Sequence, residues 1–335
     1  MTCVLFEIPT TFSYVDGVTN LPTSLFLLLF LAGISGRTEL SHATSQQVSR
    51  DQHRGGFDAT RAYGYLVKQT QFGPRDPGST GHERCLKFLR EELNKYADAV
   101  STQPFSSQIF EWKRVQLTNV IASFNTRAAN RLFISAHWDT RPWADQDVDK
   151  KNHTKPILGA NDGASGVAVI LELARQLKQY PPTIGVDLVL FDGEDLGKTG
   201  FPAGFSLGAQ YFAKNRPPGF NPQFGINIDM IGDKNLEIER EQNSERLAPA
   251  VQNLIFSTAK RLGLPGFVDS PGLEITDDHM PLNDAGVPTV DLIDFKYPDE
   301  SNKYWHTMAD TPDKCSAQSL GSVGTLLLEI IYKQQ

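Results

Sequence analysis

Residues 131–138 read RLFISAHW, and this run decides the class of fold. Leu132, Phe133, Ile134 and Ala136 leave little polar spacing between Arg131 and His137, as in a strand covered on both faces rather than one that alternates between core and water. LTNVIASF (117–124) precedes it, and VDLVLFD (186–192), FGINIDM (224–230) and VPTVDLI (287–293) follow, each a short run rich in β-branched residues. Helical spacing fills the intervals. The clearest case is 163–180, where Val167, Ile170, Leu171, Ala174 and Leu177 share one side; 205–214, 247–262 and 317–332 repeat the pattern. Strands alternating with helices predict an α/β fold, with a mixed, mostly parallel central sheet and helices on both faces, in a single domain. Two amphipathic stretches, about 58–72 and about 80–97, come first and read as packing helices on either side of the turn RDPGSTG. In sheets of this kind the ligand crevice lies beyond the carboxyl ends of the strands.

A chain of 335 residues with 40% hydrophobic content can bury a full core. Its net charge of -7 and the lack of a Lys/Arg cluster exclude a nucleic-acid partner, which would need cations to neutralise phosphates. Cys3, Cys85 and Cys315 are too few for a disulfide scaffold and lack the paired spacing of a structural zinc site, so any metal must use His and carboxylates. A Cys85–Cys315 bridge and two buried thiols both remain open. The apolar run LPTSLFLLLFLAG (21–33) is short for a membrane span and suits a signal-peptide core, although Glu7 and Asp16 precede it without a Lys or Arg, which also fits an over-extended translation start. The expected organisation is a signal peptide or signal anchor over 1–43, cleaved between Gly33 and Ala43 if at all, a polar linker over 44–56, and one catalytic domain over 57–335 in an exported protein, with no membrane partner beyond that anchor.

Chemistry-bearing residues collect where the strands end. His137 and Asp139 close one strand, Asp192, Glu194 and Asp195 follow another, and Asp229 closes a third; Asp162 opens a helix in GANDGASG, and His306 sits in YWHTMAD. Imidazole and carboxylate together suit Zn²⁺. Each residue also has a plainer role: Asp162 as a helix cap, the 192–195 acids as a solvated loop, His137 as a core histidine, Trp305 as packing. Their common position on the crevice side favours the metal.

HWDT (137–140), GANDGASG (159–166), FDGED (191–195), NIDM (227–230), TDDHMPL (276–282) and YWHT (304–307) appear in an order that resembles the zinc exopeptidase superfamily over residues 57–335. That superfamily holds aminopeptidases and glutaminyl cyclases. The resemblance implies Asp162, Asp195 and His306 as zinc ligands and Glu194 as general acid/base; Asp195 stands where many relatives carry Glu. In the aminopeptidases two metals bind, His137 and Asp229 completing the second site with Asp162 bridging, whereas one zinc is expected in a cyclase. Three features are cyclase-like: Asp277 ahead of Asp278-His279 where aminopeptidases carry Ser, Trp305 before the late His, and the stretch HWDTRPWAD (137–145), which is similar to the bacterial cyclases.

The resemblance therefore implies a zinc enzyme that converts an N-terminal Gln of peptides or proteins to pyroglutamate and releases ammonia, with a dizinc aminopeptidase as the alternative. Asp229 and Asp277 would orient Glu194 and the leaving group, and Trp305, with Phe295 or Tyr297, would form an aromatic wall. His137 and His279 are expected on the substrate side. A receptor-like relative would have lost ligands that are all present here, and a carboxypeptidase-like enzyme would need an Arg placed for a C-terminal carboxylate.

Overall fold

Six strands form one sheet in the computed structural model, which describes residues 56–109, 114–198 and 202–334. They are β1 (Ala99–Gln108), β2 (Arg114–Phe124), β3 (Arg131–His137), β4 (Gly185–Phe191), β5 (Gly225–Asp229) and β8 (Thr289–Ile293), ordered β1-β2-β4-β3-β5-β8. β4, β3, β5 and β8 run parallel to their neighbours, while β2 pairs antiparallel with β4 and β1 antiparallel with β2. The sheet is thus mixed and mostly parallel, as the sequence predicts. A separate pair joins β6 (Ile238–Arg240) and β7 (Phe267–Pro271). The expected signal segment over 1–43 and nearly all of the linker lie outside the described residues. Among the described residues no helix is long and apolar enough to cross a membrane.

The helices are α1 (Ala59–Thr70), α2 (Thr80–Asn94), α3 (Ala164–Gln179), α4 (Leu207–Lys214), α5 (Gln242–Leu247), α6 (Pro249–Leu262), α7 (His279–Asp284) and α8 (Ala317–Lys333). The period-two alternation of β3 divides them between two faces. Leu132, Ile134 and Ala136 enter a large core that includes Leu66 of α1, Val167 and Leu171 of α3, Ile255 of α6 and Leu327 of α8. Phe133 points the other way, into a smaller cluster with Phe191, Phe212 of α4 and Leu282 of α7. Each such side chain, fully buried, contributes about 1.5–3 kcal/mol from water-to-core transfer.

The structure adds elements the sequence did not predict and decides one point it left open. β1 was not anticipated: its residues alternate in exposure and include Pro104, a pattern confined to edge strands because proline offers no N–H to a second neighbour. The helix expected over 247–262 is α6, with Pro249 in its first turn, and the short α5 that precedes it was not anticipated. Cys85 and Cys315 are both free and buried, which removes the bridged alternative. Burial pushes the Cys85 thiol up to about 12, so it is an inert packing group.

Candidate metal centre

The register of the parallel strands brings their carboxyl ends level. His137 lies opposite Phe191, and Asp229 opposite Ile293, so the residues that follow each strand open onto one edge. The loop carrying Asp162 reaches this edge because Gly163 takes a φ of 94°. A Cβ there would stand 2.6 Å from the Asp139 carbonyl and 3.1 Å from His137 Cε1, so only glycine permits the approach. Gly163 is also the residue at the start of α3, with no side-chain cap, and the cap role for Asp162 is therefore excluded. Asp310 accepts the Asn161 and Asp162 N–H groups at 2.8 and 3.1 Å, and the buried Arg75 guanidinium donates to the Trp138, Leu158 and Gly159 carbonyls. Neither residue stood out in the sequence.

Two groups of potential ligands share Asp162: Asp162, Asp195 and His306, and His137, Asp162 and Asp229, with the ligand atoms of each group within 4.8 Å of one another. In the first, His306 Nε2 lies 3.5 Å from Asp162 Oδ2 and 3.4 Å from Asp195 Oδ1. Tetrahedral zinc with bonds of about 2.0–2.1 Å places its ligand atoms about 3.4 Å apart, so the donors are spaced for that ion. Asp195 Oδ2 is buried without a hydrogen-bond partner, a costly arrangement that a cation relieves. In the second group, His137 Nε2 is 3.2 Å from both Asp162 Oδ1 and Asp229 Oδ1.

The electrostatics separate the two histidines. Burial, then the Arg141 and His137 cations, hold His306 well below its ordinary range, leaving the neutral imidazole that ligation requires. His137 is buried too, but the Asp229 charge and the hydrogen bonds its ring donates to Asp139, Asp162 and Asp229 outweigh burial and raise it well above its ordinary value. Burial, followed by the Asp277 and Asp195 charges, lifts Glu194 well above the usual carboxylate range. Asp277 is pushed up to about 6, first by burial and then by Asp229.

The sequence matches the profile of peptidase family M28 over residues 119–331. The chain belongs to peptidase family M28. Among solved structures, a glutaminyl cyclase from Bacteroides thetaiotaomicron bound to N-acetylhistamine is similar with a TM-score of 0.80 and 38% identity, over 84% of this chain and 99% of that one. A leucine aminopeptidase precursor from Bacteroides thetaiotaomicron VPI-5482 is similar at a TM-score of 0.81 and 37% identity, over 84% and 99%. A curated glutaminyl-peptide cyclotransferase of Gloydius blomhoffii is 26% identical over 290 residues, 76% of this chain and 75% of that protein.

In this M28 chain a hollow of about 460 Å³ covers the first ligand group. Asp162, Asp195 and His306 line it together with Glu194, Asp229, Asp277, Phe205, Phe295 and Trp305. Trp305 stacks on His306 with ring centroids 3.7 Å apart and meets Phe295 edge-on at 5.0 Å. Tyr297, the other expected wall residue, is fully buried with its hydroxyl on Asp310 Oδ1 at 2.8 Å, so the wall is Phe295. Phe205, which also lines the hollow, was missed.

His137 and His279, expected on the substrate side, are not among the residues that line this hollow. His279 is fully buried behind the wall, 3.5 Å from Glu241 Oε2 and 3.9 Å from Asp291 Oδ2. The Asp139 carboxylate accepts the N–H groups of Glu194 (3.1 Å) and Asp195 (3.3 Å), fixing the backbone that presents both acids. Asp192 is neither solvated nor in the pocket: it is buried against His82 Nε2 at 2.9 Å and the Thr118 N–H at 2.6 Å. The Asp277 carboxylate accepts the adjacent Asp278 N–H, and Asp278 occupies the cap position of α7 without a side-chain cap bond, so the Asp277 side chain does not cap that helix.

Proposed function

We propose that this M28 chain is a zinc-dependent glutaminyl-peptide cyclotransferase acting on peptides or proteins with an N-terminal Gln. The observation that carries the reading is the second acid: Asp277 lines the same hollow as Glu194, free of any capping task, and its charge is the largest side-chain influence on Glu194. Similarity to glutaminyl cyclases over most of both chains supports it.

In the reaction the substrate's α-amine attacks the carboxamide carbon of its own Gln side chain, a C–N bond forms, the bond to the amide nitrogen breaks, and ammonia leaves. Zinc held by Asp162, Asp195 and His306 would supply Lewis acidity toward the amide oxygen. Glu194 takes the proton from the attacking amine and returns it to the departing nitrogen; its raised pKa suits a group that must do both near neutral pH. Asp229 and Asp277 surround this shuttle and orient the leaving ammonia. Because the nucleophile is tethered, the remaining task is to fold the side chain back, and Trp305 and Phe295 form the surface against which it folds. A second hollow of about 580 Å³ shares Phe205, Thr276 and Asp277 with the first, so residues after the Gln have room.

A single ion is part of the proposal, because Asp162, Asp195 and His306 all line the hollow and His137 does not, so the first group has the open position catalysis needs. The second group, His137, Asp162 and Asp229, and the similarity to a leucine aminopeptidase precursor favour a dizinc aminopeptidase as the second reading.

Asp277→Asn tests the choice. The variant keeps its zinc, melts within a few degrees of the parent, and cyclises a Gln-initiated peptide at least about a hundredfold more slowly. The acid side of its kcat/KM profile also moves to lower pH: with a negative neighbour gone, Glu194 ionises more readily, so less alkali is needed to make the base. Parental cyclisation rates in this variant would remove Asp277 from the mechanism and with it the preference for a cyclase.

A further inference from the structure

The loop that follows β3 reaches two of the three zinc ligands from outside the hollow. Arg141, whose side chain is 3% exposed, donates Nη1 to Asp195 Oδ1 at 2.7 Å. Its Nε and Nη2 grip the two oxygens of Asp145, each at 2.7 Å. A guanidinium is planar and carries donors on several edges, so it can hold two carboxylates in fixed orientations at once; an ammonium is a point charge and cannot. Asp145 Oδ1 in turn faces His306 Nδ1 at 3.7 Å, an electrostatic contact longer than a hydrogen bond to a buried nitrogen that has no hydrogen-bond partner, while Nε2 of the same ring faces Asp162 and Asp195.

Two further links tie this loop to the His306 turn. The Gln146 N–H donates to the His306 carbonyl at 3.2 Å, and the Met308 N–H donates to Asp147 Oδ2 at 3.0 Å. His306 itself sits at a φ of 54°, a conformation that non-glycine residues hold only with outside support.

We propose that Arg141 and Asp145 are positioning residues for the metal centre: Arg141 fixes the Asp195 carboxylate and, through Asp145, the ring of His306, so that both ligands are set before the ion arrives. This rests on the zinc reading of Asp162, Asp195 and His306. Partners that orient metal ligands from behind are worth about 10–100-fold in metal affinity. Arg141 and Asp145 are not among the residues lining the hollow, so their effect would reach the reaction through the ligands.

The test compares the parent with Arg141→Met, Arg141→Lys, Asp145→Asn and the Arg141→Met/Asp145→Asn double variant. Zinc affinity is measured by competition with a chromophoric chelator, melting of the zinc-free proteins by calorimetry, and kcat and KM at saturating zinc. Arg141→Met binds zinc about 10–100-fold more weakly with its zinc-free melting little changed, and Asp145→Asn about tenfold more weakly. Arg141→Lys recovers only part of the loss, and the double variant loses less than the product of the single losses because both act through one chain of contacts. Excess zinc restores most of the turnover of Asp145→Asn.

Parental zinc affinity, within about twofold, in Asp145→Asn and in whichever Arg141 variants fold overturns the proposal. So does a loss of affinity matched by an equal loss of zinc-free stability, which makes the pair structural. Should Arg141→Met fail to fold, Asp145→Asn and Arg141→Lys decide. A parent that binds no zinc overturns the zinc reading as well, and so is distinguishable from failure of the clamp alone.

Discussion

His306→Ala loses zinc and cyclisation together. The imidazole is the one neutral donor in its group, and its removal leaves two carboxylates where an open zinc site needs three protein ligands. It also empties the space beneath Trp305, which stacks on that ring, so the aromatic wall loses its floor. After gel filtration the variant carries little zinc by elemental analysis, and no ammonia is released above background. His137→Ala is the companion measurement. His137 does not line the hollow, so that variant retains far more zinc than His306→Ala does. The reverse order of zinc contents would put the ion in the His137, Asp162 and Asp229 group and revive the aminopeptidase.

Glu194→Gln, in contrast, keeps zinc and fold and lowers turnover by about two to four orders of magnitude, the usual contribution of a positioned acid/base. The backbone of this residue is held through its N–H by Asp139, and among the described residues no side-chain hydrogen bond or ion pair of Glu194 would be broken by Gln. Removing one of several crowded carboxylates also relieves repulsion from Asp277 and Asp195, so stability is kept or slightly raised. KM stays close to the parental value, because the lost interaction belongs to proton transfer rather than to substrate binding. Near-normal turnover would take Glu194 out of the reaction.

What the sequence revealed follows from local physics. β3, β4, β5 and β8 were legible because strands covered on both faces are written almost without polar residues. β1 was not, since an edge strand that alternates polar and apolar and tolerates Pro104 reads like a loop. Asp162, Asp195 and His306 could be singled out because Asp195 follows a strand end and the other two sit in loop motifs of a recognisable order, and the fold brings those three together. Which side of the wall a residue faces could not be read: no periodicity operates between Phe295 and Tyr297, and only the reach of the Tyr297 hydroxyl to Asp310 puts it inside. The same limit applies to His137 and His279. Arg75 was invisible for another reason, as its three carbonyl partners lie 63 to 84 positions away along the chain. Arg141 and Asp145 sit inside HWDTRPWAD, a non-helical stretch whose spacing reveals neither their pairing nor their neighbours Asp195 and His306.

The measurement that tests the account most directly runs two substrates beside each other on zinc-loaded protein of known metal content: ammonia release from a Gln-initiated dipeptide, and arylamine release from a leucine arylamide. The account predicts ammonia in step with pyroglutamyl product, negligible arylamine, and one zinc per chain. Arylamine release without ammonia, from protein holding two ions, would contradict it.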